Sequence, residues 1–444
     1  LSLHDALPIC IHPLHAIGSG KGLTANLPIA EAPAPARVVL PMAQHIGAPC
    51  VPCVAVGDRV LRGQAVGQVR GFVSAPVHAS VSGTVVEIAP HLTIGGAMVP
   101  CVVIENDGKD EWDPDCRPPE GSVDSLSPQD ILACIGEAGV VGMGGAAFPA
   151  RVKLSPPGDK KIDFLLLNGA ECEPYLSADH RLMLEEGARI LEGARYVARA
   201  LGSPRVIVGI EANKRDAAEA LRALAAPLGI EVQVLRVKYP QGSEKQLISA
   251  LTGRKVPSGG LPMDAGCVVV NVSSAAAIAD AVAKGRPVTE RVLTVTGAVQ
   301  TPKNLRVRIG TPAQELIDLC GGLKPEADRV VSGGPMMGVA LYDLAVPVVK
   351  GTSGLLALTR EQTAPGKLTN CIRCGRCVRG CPIHLLPYEL CNDFERGDWA
   401  AADKHNALDC IECGSCTYVC PAKRSITSSI RVCKRQVQAL RKKQ

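Results

Sequence analysis

The chain has 444 residues, a hydrophobic content of 46% and a formal net charge of +5 at pH 7. This length predicts about three domains rather than one core, and the small charge does not indicate a nucleic-acid-binding protein, which normally clusters basic residues on one face. No apolar run reaches the roughly 18 residues of a membrane-spanning helix, so we expect a soluble or peripheral protein.

The first nine residues, "LSLHDALPI", match the translation of a common sequencing-library adapter read in frame. We therefore interpret residues 1–10 as an assembly artefact that ends in a junction codon at Cys10. A genuine N-terminus is the alternative, and the native genomic sequence distinguishes the two.

Residues 37–106 contain short apolar segments separated by turns, as in "VAVGDRVLRGQAVGQV" and "SAPVHASVSGTVVEI". This pattern predicts β-strands and resembles the barrel-sandwich fold of biotinyl and lipoyl carrier domains. The turn "SVSG" at 80–83 lacks the lysine that those carriers modify, so we interpret residues 11–106 as a docking domain. Residues 107–124, rich in proline and acidic side chains, are predicted to be a linker.

Between residues 125 and 285, continuous apolar runs at 163–168, 205–210, 231–237 and 267–272 alternate with helical patterns. Such runs predict a buried parallel sheet with right-handed crossovers. Ligands bind beyond the carboxyl ends of such strands. The polar or glycine residues that follow the four runs are Asn168, Glu171, Glu173, Glu211, Asn213, Tyr239, Gly242, Ser243, Glu244, Asn271 and Ser273.

Many polar residues at strand-to-helix turns are only helix caps, and we accept that interpretation for Ser243. It is weaker for "NGAECEP", which begins at Asn168. Two carboxylates within three residues repel each other unless water or the donors of a ligand separate them.

A glycine-rich segment, "GVVGMGGAAFPARVKL", runs from Gly139 to Leu154. It satisfies the G-x-G-x-x-A dinucleotide pattern weakly, because no clear strand precedes it and Phe148-Pro149 stands where a long helix should run. Such a loop still exposes backbone N–H groups to a phosphate or a ring system. Arg151 and Lys153 add positive charge nearby.

"GMGGAAFPARVKL" followed by "NGAECEP" resembles the flavin loop and acidic turn of the NADH-binding, FMN-carrying subunit of respiratory complex I, and "YPQGSEK" and "VVVNVSS" are similar to two further segments of that family. Met143, Ala170 and Ser243 replace polar or charged residues of the family pattern, so the resemblance supports FMN more strongly than NADH. The residues that it implies in FMN or NADH binding are Gly142, Gly144, Gly145, Ala146, Phe148, Lys153, Asn168, Glu171, Glu173, Tyr239, Gly242, Glu244 and Asn271.

Further along, residues 290–322 predict two strands around a turn and then a helix that begins near Thr311-Pro312. After them, "CIRCGRCVRGCP" begins at Cys371 and "CIECGSCTYVCP" at Cys410. The spacing C-x2-C-x2-C-x3-C-P, written twice, is that of two-cluster ferredoxins, whose fourth cysteine ligates the other cluster. This rule predicts two [4Fe–4S] clusters, one held by Cys371, Cys374, Cys377 and Cys420, the other by Cys410, Cys413, Cys416 and Cys381. A pair of zinc sites is the less favoured alternative.

The two cysteine loops differ in charge. The first carries Arg373, Arg376 and Arg379, whereas Asp409 and Glu412 flank the start of the second. Cationic surroundings favour the reduced state, so we predict the higher reduction potential for the cluster ligated by Cys371. The alternative is that these arginines face a partner protein.

Outside these loops, Cys50 and Cys53 form an isolated C-x-x-C, which lacks two further zinc ligands and which we interpret as incidental. Cys172 lies within the acidic turn, where both a buried neutral thiol and a contact with the flavin remain open.

A fuller resemblance covers nearly all of the chain after Cys10. "IHPLHAIGSGKGLT", "NGAECEPYL", "YPQGSEKQLI", "SGGPMMG" and both cysteine runs are similar to the RnfC family of the Rnf-type ion-translocating ferredoxin:NAD oxidoreductases. The resemblance implies a multidomain α/β protein. Its parts are a barrel-sandwich (lipoyl-like) domain at 11–106, a Rossmann-like α/β FMN- and NADH-binding domain at 125–285, a β-grasp-like domain at 286–358 and a helical, ferredoxin-like domain with two [4Fe–4S] clusters at 359–444.

This resemblance also implies a function. The chain would pass electrons between NADH, FMN and the clusters towards ferredoxin, as the electron-input module of a membrane-bound, ion-translocating complex, peripheral on the cytoplasmic face of a bacterial membrane. The implied partners are the other subunits of that complex, a ferredoxin-like carrier and NADH, and no nucleic acid. We assign no catalytic acid or base, because hydride transfer to a flavin needs no strong one. A soluble reductase of the cobalamin-reductase type and a non-enzymatic iron–sulfur adaptor are the alternatives.

Overall fold

A computed structural model describes residues 19–119, 125–364 and 366–442 of the protein. The interpreted artefact at residues 1–10 and the linker residues 120–124 lie outside these ranges. None of the helices within the described ranges is long and apolar enough to cross a bilayer.

The predicted β-rich segment forms two antiparallel sheets, with strand orders β2-β8-β7-β4 and β3-β5-β6. Val38 and Leu40 pair with Ile104 and Val102 across β2 and β8, and all four side chains are fully buried between the sheets. The strands are β2 (Arg37–Pro41), β3 (Val51–Pro52), β4 (Arg59–Val60), β5 (Ala65–Gln68), β6 (Val77–His78), β7 (Gly83–Leu92) and β8 (Met98–Asn106).

The α/β part has four parallel strands in the order β11-β10-β9-β12, as the apolar runs predict. Its elements are α1 (Pro128–Glu137), α2 (Ala150–Lys153), β9 (Phe164–Gly169), α3 (Ala178–Glu185), α4 (Gly187–Ala200), β10 (Arg205–Glu211), α5 (Arg215–Ala225), β11 (Glu231–Leu235), α6 (Glu244–Thr252), β12 (Cys267–Asn271) and α7 (Val272–Lys284). In β9, Leu165 and Leu167 pack in the core that includes α4 and α7, whereas Leu166 packs in the core that includes α6. Because helices cover both faces, the strand is continuously apolar.

The third part is a six-stranded sheet in the order β1-β14-β13-β17-β15-β16. Residues 290–322 form two strands and a helix after Pro312, as predicted. The elements are β13 (Glu290–Gly297), β14 (Lys303–Arg308), α8 (Ala313–Leu319), β15 (Ala327–Ser332), β16 (Val339–Ala340) and β17 (Gly354–Thr359).

The edge strand β1 (Ile29–Glu31) comes from the N-terminal segment and pairs in parallel with β14. The buried amide of Asn304 fixes this segment by donating to the carbonyls of Thr24 and Leu27 at 2.9 and 3.1 Å. Residues 29–31 therefore lie in the third sheet, although our sequence interpretation placed them in the docking domain at 11–106.

The barrel packs on the third part through the turn at 80–83. Ser80 and Ser82 are fully buried, and the hydroxyl of Ser80 donates to the carbonyl of Ile309 at 2.5 Å. Nearby, the buried Arg62 guanidinium pairs with Glu290 at 2.7 Å and stacks on the ring of Trp112 at 4.1 Å. The turn that carries a modified lysine in lipoyl-like carriers is thus enclosed by the protein here.

The C-terminal part is helical and carries the two cysteine loops. Each loop leads into a one-turn helix, α10 or α13, and two longer helices, α11 and α14, pack through Leu390, Ile430 and Val437. The helices are α9 (Arg360–Thr363), α10 (Arg376–Arg379), α11 (Pro387–Arg396), α12 (Trp399–Lys404), α13 (Ser415–Tyr418) and α14 (Ile426–Arg441).

Candidate flavin, nicotinamide and iron–sulfur sites

The glycine-rich loop lies between α1 and the short α2, beside the carboxyl end of β12. Its base is closed by a hydrogen bond from the Gly142 N–H to the carbonyl of Phe148 at 2.9 Å. Gly144, Gly145 and Ala146 are exposed at its tip. A Cβ atom on Gly144 would lie 2.5 Å from the amide nitrogen of Asn271, so only glycine lets the loop approach this side chain. An open backbone beside an amide group fits a phosphate or a flavin ring.

Buried groups hold this loop from below. The Met143 N–H donates to the hydroxyl of Ser274 at 2.8 Å, and the guanidinium of Arg291 donates to the Met143 carbonyl at 3.4 Å. Met143 itself is 4% exposed. The residue that replaces the family's loop arginine is therefore a core residue, and a buried arginine from β13 supports its backbone.

Two of the predicted turns pack directly against each other. The side chain of Asn168 donates to the carbonyl of Gly242 at 2.8 Å. A Cβ atom on Gly242 would lie 2.2 Å from the carbonyl oxygen of Ala170, so the contact requires glycine. The acidic turn after β9 and the "YPQGSEK" segment before α6 thus form one wall.

The two carboxylates of the acidic turn point to different partners. Glu171 accepts a hydrogen bond from the Asp179 N–H at 3.0 Å, at the start of α3, and its carboxylate is 3.8 Å from the ammonium of Lys21. Glu173 accepts from the Met336 N–H at 3.1 Å and from the Tyr239 hydroxyl at 3.3 Å. Protein donors therefore separate the two charges.

Burial changes the ionisation of this turn. Desolvation raises the pKa of Glu171 and raises that of Glu173 to about 7. Desolvation also raises the pKa of Cys172, so its thiol stays neutral. A carboxyl group that titrates near neutral pH inside a pocket is common where charge or protons are handled.

Lys153 and Glu244 bring the glycine loop and α6 together. The lysine ends α2, the glutamate begins α6, and their charged groups form an ion pair while both stay partly exposed. Asn271 caps α7 by accepting from the Ser273 N–H at 2.8 Å, and its amide donates to Asp179 at 2.8 Å. The cap interpretation therefore holds for Asn271 as well, while its side chain still borders the loop.

Other candidates after the strands are internal. Glu211 is 1% exposed and pairs with Lys214 at 3.0 Å, and Asn213 accepts from the same lysine at 3.0 Å. Our sequence reasoning missed the buried cations around the site, which are Lys21, Lys214, Arg291 and Lys350. Only Lys21 carried a signal, since it lies in the segment "IHPLHAIGSGKGLT".

Each predicted set of four cysteines lines one cavity. Cys381, Cys410, Cys413 and Cys416 border the first, and Cys371, Cys374, Cys377 and Cys420 border the second. All eight are free thiols. Four converging thiols, with the fourth exchanged between loops, fit a [4Fe–4S] cluster in each cavity.

The loops repeat their backbone as well as their spacing. Arg373 and Glu412, two residues after the first cysteine of each run, both adopt positive φ, at 53° and 57°. His384 and Lys423, three residues after the last cysteine, do the same at 59° and 56°. The duplication therefore extends to the shape of both cavities.

Hydrogen bonds surround the sulfurs of the cavity that Cys410 borders. Cys381 accepts from the Leu385 N–H at 3.3 Å and Cys410 from the Glu412 N–H at 3.4 Å. Two hydroxyls lie close as well, with Ser415 Oγ 3.3 Å from Cys413 Sγ and Thr427 Oγ1 3.4 Å from Cys416 Sγ. Such contacts help to set the potential of a cluster.

The second cysteine loop docks on the α/β part. The Tyr239 hydroxyl donates to the Cys413 carbonyl at 2.7 Å, and the Gln246 amide donates to the Pro382 carbonyl at 3.0 Å. Asp409 accepts from the Gly259 N–H at 3.0 Å and from the Ser258 hydroxyl. This cluster cavity thus adjoins the wall built from Glu173, Tyr239 and Gly242.

The first cysteine loop is more open. Cys371 and Cys374 are exposed, whereas Cys381, Cys413 and Cys416 are buried. The two cavities therefore differ in surroundings: one faces the α/β part and the other faces solvent.

Four family models match the chain along its length. They are the RnfC barrel sandwich hybrid domain at residues 11–109, the Nuo51 FMN-binding domain at 135–280, the SLBB domain at 292–340 and the 4Fe-4S dicluster domain at 370–423. These matches confirm the predicted fold class and the predicted FMN and iron–sulfur cofactors.

Curated relatives match over most of their length, and all three described here carry the same letter, C, within their complexes. The one from the Na(+)-translocating ferredoxin:NAD(+) oxidoreductase complex of Acetobacterium woodii is 49% identical, over 98% of this chain and 97% of that protein. The one from the proton-translocating complex of Clostridium ljungdahlii is 49% identical, over 96% and 92%. The one from the ion-translocating oxidoreductase complex of Rhodobacter capsulatus is 44% identical, over 89% and 76%.

Among solved structures, an NAD+-reducing [NiFe]-hydrogenase in the H2-reduced state is similar in fold. The TM-score is 0.50 at 18% identity, and the match covers 72% of this chain and 62% of that chain. The protein thus spans less than two thirds of that hydrogenase chain, and the likeness concerns the fold alone.

Proposed function

We propose a function from one premise: this chain belongs to the RnfC family of the ion-translocating ferredoxin:NAD(+) oxidoreductase complexes. It is an electron-transfer subunit of such a complex, and its cofactors are FMN and two [4Fe–4S] clusters. Its partners are the other subunits of the complex, with ferredoxin and NAD(H) as the substrates of the whole assembly. The relatives favour this function over a corrinoid reductase, and the FMN-binding domain favours it over a cluster-only adaptor.

The docking of the second cysteine loop on the α/β part carries the proposal. Tyr239 binds both Glu173 of the acidic turn and the backbone of Cys413 in the cluster loop. Bound FMN accepts two electrons as a hydride, and each cluster carries one. The chain therefore converts hydride equivalents into single electrons, or recombines them in the reverse direction.

The glycine loop is proposed to seat the flavin. Gly142, Gly144, Gly145, Ala146 and Phe148 would face the ring system through an open backbone. Lys153 and Asn271 would contact FMN, because both border this loop. The role of the chain is to orient the flavin and to exclude water from one of its faces.

The acidic turn and the segment before α6 are proposed to form the nicotinamide pocket. Glu171, Glu173, Tyr239 and Glu244 would shape it, and the bond between Asn168 and Gly242 would fix its wall. We place the protein at the cytoplasmic face of the membrane, where NADH and ferredoxin are available.

We infer an order for the two clusters from their surroundings. The cluster held by Cys381, Cys410, Cys413 and Cys416 would exchange electrons with the flavin, because its loop contacts the α/β part. The cluster held by Cys371, Cys374, Cys377 and Cys420 would exchange electrons with a partner, because two of its ligands are exposed.

Anaerobic titration of the cluster-reconstituted holoprotein with NADH tests this function. We expect near-stoichiometric NADH to bleach the flavin and iron–sulfur absorbance bands together. If dithionite bleaches both bands and NADH bleaches neither, this chain does not oxidise NADH by itself and the proposal fails.

A further inference from the structure

The exposed cysteine loop is surrounded by cations. Within the part of the chain that the structure describes, no carboxylate forms an ion pair with these side chains, and all of them are exposed. We call them the basic rim: Lys367, Arg373, Arg376, Arg379 and Lys423.

The members of the basic rim lie on one surface. A Cβ atom on Gly375 would be 3.4 Å from the guanidinium of Arg379, and a Cβ atom on Gly366 would be 3.4 Å from the side chain of Lys423. The Thr369 N–H donates to the Ala422 carbonyl at 3.1 Å, which joins the segment before Cys371 to the end of the second loop. The cations therefore border the same cluster cavity.

The centre of this surface is apolar. Leu368 is 69% exposed and Ile372 is 66% exposed, beside the exposed Cys371 and Cys374. An apolar centre with a charged rim is the usual anatomy of a protein–protein interface. Two exposed aliphatic side chains form a small patch, which suits a transient contact rather than a permanent one.

The acidic residues near the other cluster are already paired. Glu412 binds Lys434 at 2.6 Å and Arg431 at 2.9 Å, and Asp409 is covered by the α/β part. Unpaired charge is thus concentrated at the cluster that faces solvent. A surface of one sign attracts a partner of the other sign and repels wrong partners.

We propose that the basic rim is the docking surface for an electron-carrying protein whose own one-electron centre lies beneath an acidic surface. The proposal rests on the function proposed above and names the partner side of that electron path. One electron passes between the cluster ligated by Cys371 and the centre of the partner. No bond forms or breaks, and no proton is transferred.

Charge reversal of the rim tests the proposal with a ferredoxin of net negative charge as the probe. The test variant is Arg373→Glu/Arg376→Glu/Arg379→Glu. The matched control, Arg70→Glu/Lys109→Glu/Lys161→Glu, changes the net charge equally at exposed cations of the barrel, the linker and the α/β part. Two quantities are measured on the holoprotein: its affinity for the ferredoxin, and the second-order rate constant for reduction of the ferredoxin after dithionite reduction of the holoprotein.

We expect the test variant to lose about tenfold or more in both quantities at about 0.01 M ionic strength, and the loss to shrink at about 0.15 M. The control should stay within about twofold of the wild type. Equal losses in both variants, or a loss that does not depend on salt, would overturn the proposal. The second pattern is the one that a changed cluster potential would produce.

Iron content and the EPR signals of both clusters show whether the variants are intact. Lys367→Glu/Lys423→Glu, which is further from the ligands, repeats the test if the triple variant loses a cluster. Vesicles of anionic phospholipid serve as a second probe: loss of vesicle binding with an unchanged ferredoxin rate would assign the rim to a membrane and overturn the proposal. Because dithionite supplies the electrons, a failure of NADH oxidation remains distinguishable from a failure of docking.

Discussion

Lys153 stands at the point where the flavin loop and α6 meet, and its charge is partly exposed beside Glu244. We expect Lys153→Glu to lower FMN affinity by about tenfold or more, because it removes a charge-assisted contact worth roughly 1.5–3 kcal/mol and adds a repelling carboxylate. FMN released by acid extraction gives the measurement. Lys160→Glu, in which an exposed lysine paired with Asp264 is reversed on the same domain, is the control. Equal loss of FMN and of cluster iron in Lys153→Glu would indicate misfolding instead.

At the scale of single residues, spacing predicted which cysteines share a cavity, because short motifs fix local geometry. The partners of the other side chains could not be predicted. Glu211 and Glu173 both follow apolar strands, yet one pairs with Lys214 inside the protein and the other binds Tyr239. The difference depends on residues that are distant in the chain. The roles of the proposed FMN and NADH residues stay predictions.

Among the elements, α14 bears on the potential of one cluster only, through the hydroxyl of Thr427 beside Cys416. A hydrogen bond to a cluster sulfur stabilises the reduced, more negative state. We therefore expect Thr427→Val to lower the potential of the cluster ligated by Cys410 by roughly 20–60 mV, the one-electron equivalent of about 0.5–1.5 kcal/mol.

A redox titration followed by EPR measures this shift. Thr427→Ser, which keeps the hydroxyl, should leave the potential unchanged. The cluster ligated by Cys371 should also keep its potential in both variants. A shift of both clusters, or none in Thr427→Val, would show that this hydroxyl does not tune the site.

Apolar runs predicted the four parallel strands, since a strand buried on both faces has a continuous signal. They could not predict β1, which has three residues and pairs with β14 some 270 positions away in the chain. The charge contrast between the cysteine loops was also visible in the sequence. The ion pairs that Glu412 forms with Arg431 and Lys434 reduce it in the fold, and the predicted order of the two potentials stays a prediction.

In the whole molecule, Lys350 joins three parts of the chain. Its buried ammonium donates to the carbonyls of Pro76 and Gly139, both at 2.7 Å. Burial lowers its pKa from 10.5 to about 7. The unfolded chain therefore binds more protons than the folded one between these two values, and the contribution of Lys350 to stability rises with pH across that window.

We expect the destabilisation caused by Lys350→Met to grow as the pH rises from about 7 to about 10. At high pH the wild type keeps both hydrogen bonds without the desolvation cost of a charge. Thermal midpoints measured across this range give the result, and Lys161→Met, at an exposed lysine, is the control. A constant difference between the wild type and Lys350→Met would mean that Lys350 titrates as it does in water.

The overall architecture was predictable as a sequence of parts, because each part has its own periodicity or motif. The relative placement of the parts was not, since it depends on contacts such as Tyr239 with Cys413 and Ser80 with Ile309. Those contacts decide which cluster adjoins the α/β part and which faces a partner.

The measurement that tests the central claim most directly compares FMN-depleted with FMN-reconstituted protein under anaerobic conditions, with both clusters intact. After NADH is added, we expect the iron–sulfur bands to bleach only in the reconstituted protein, whereas dithionite bleaches them in both. This result would establish that electrons from NADH reach the clusters through the flavin. Reduction of the clusters by NADH without FMN, or none with FMN bound, would contradict the account.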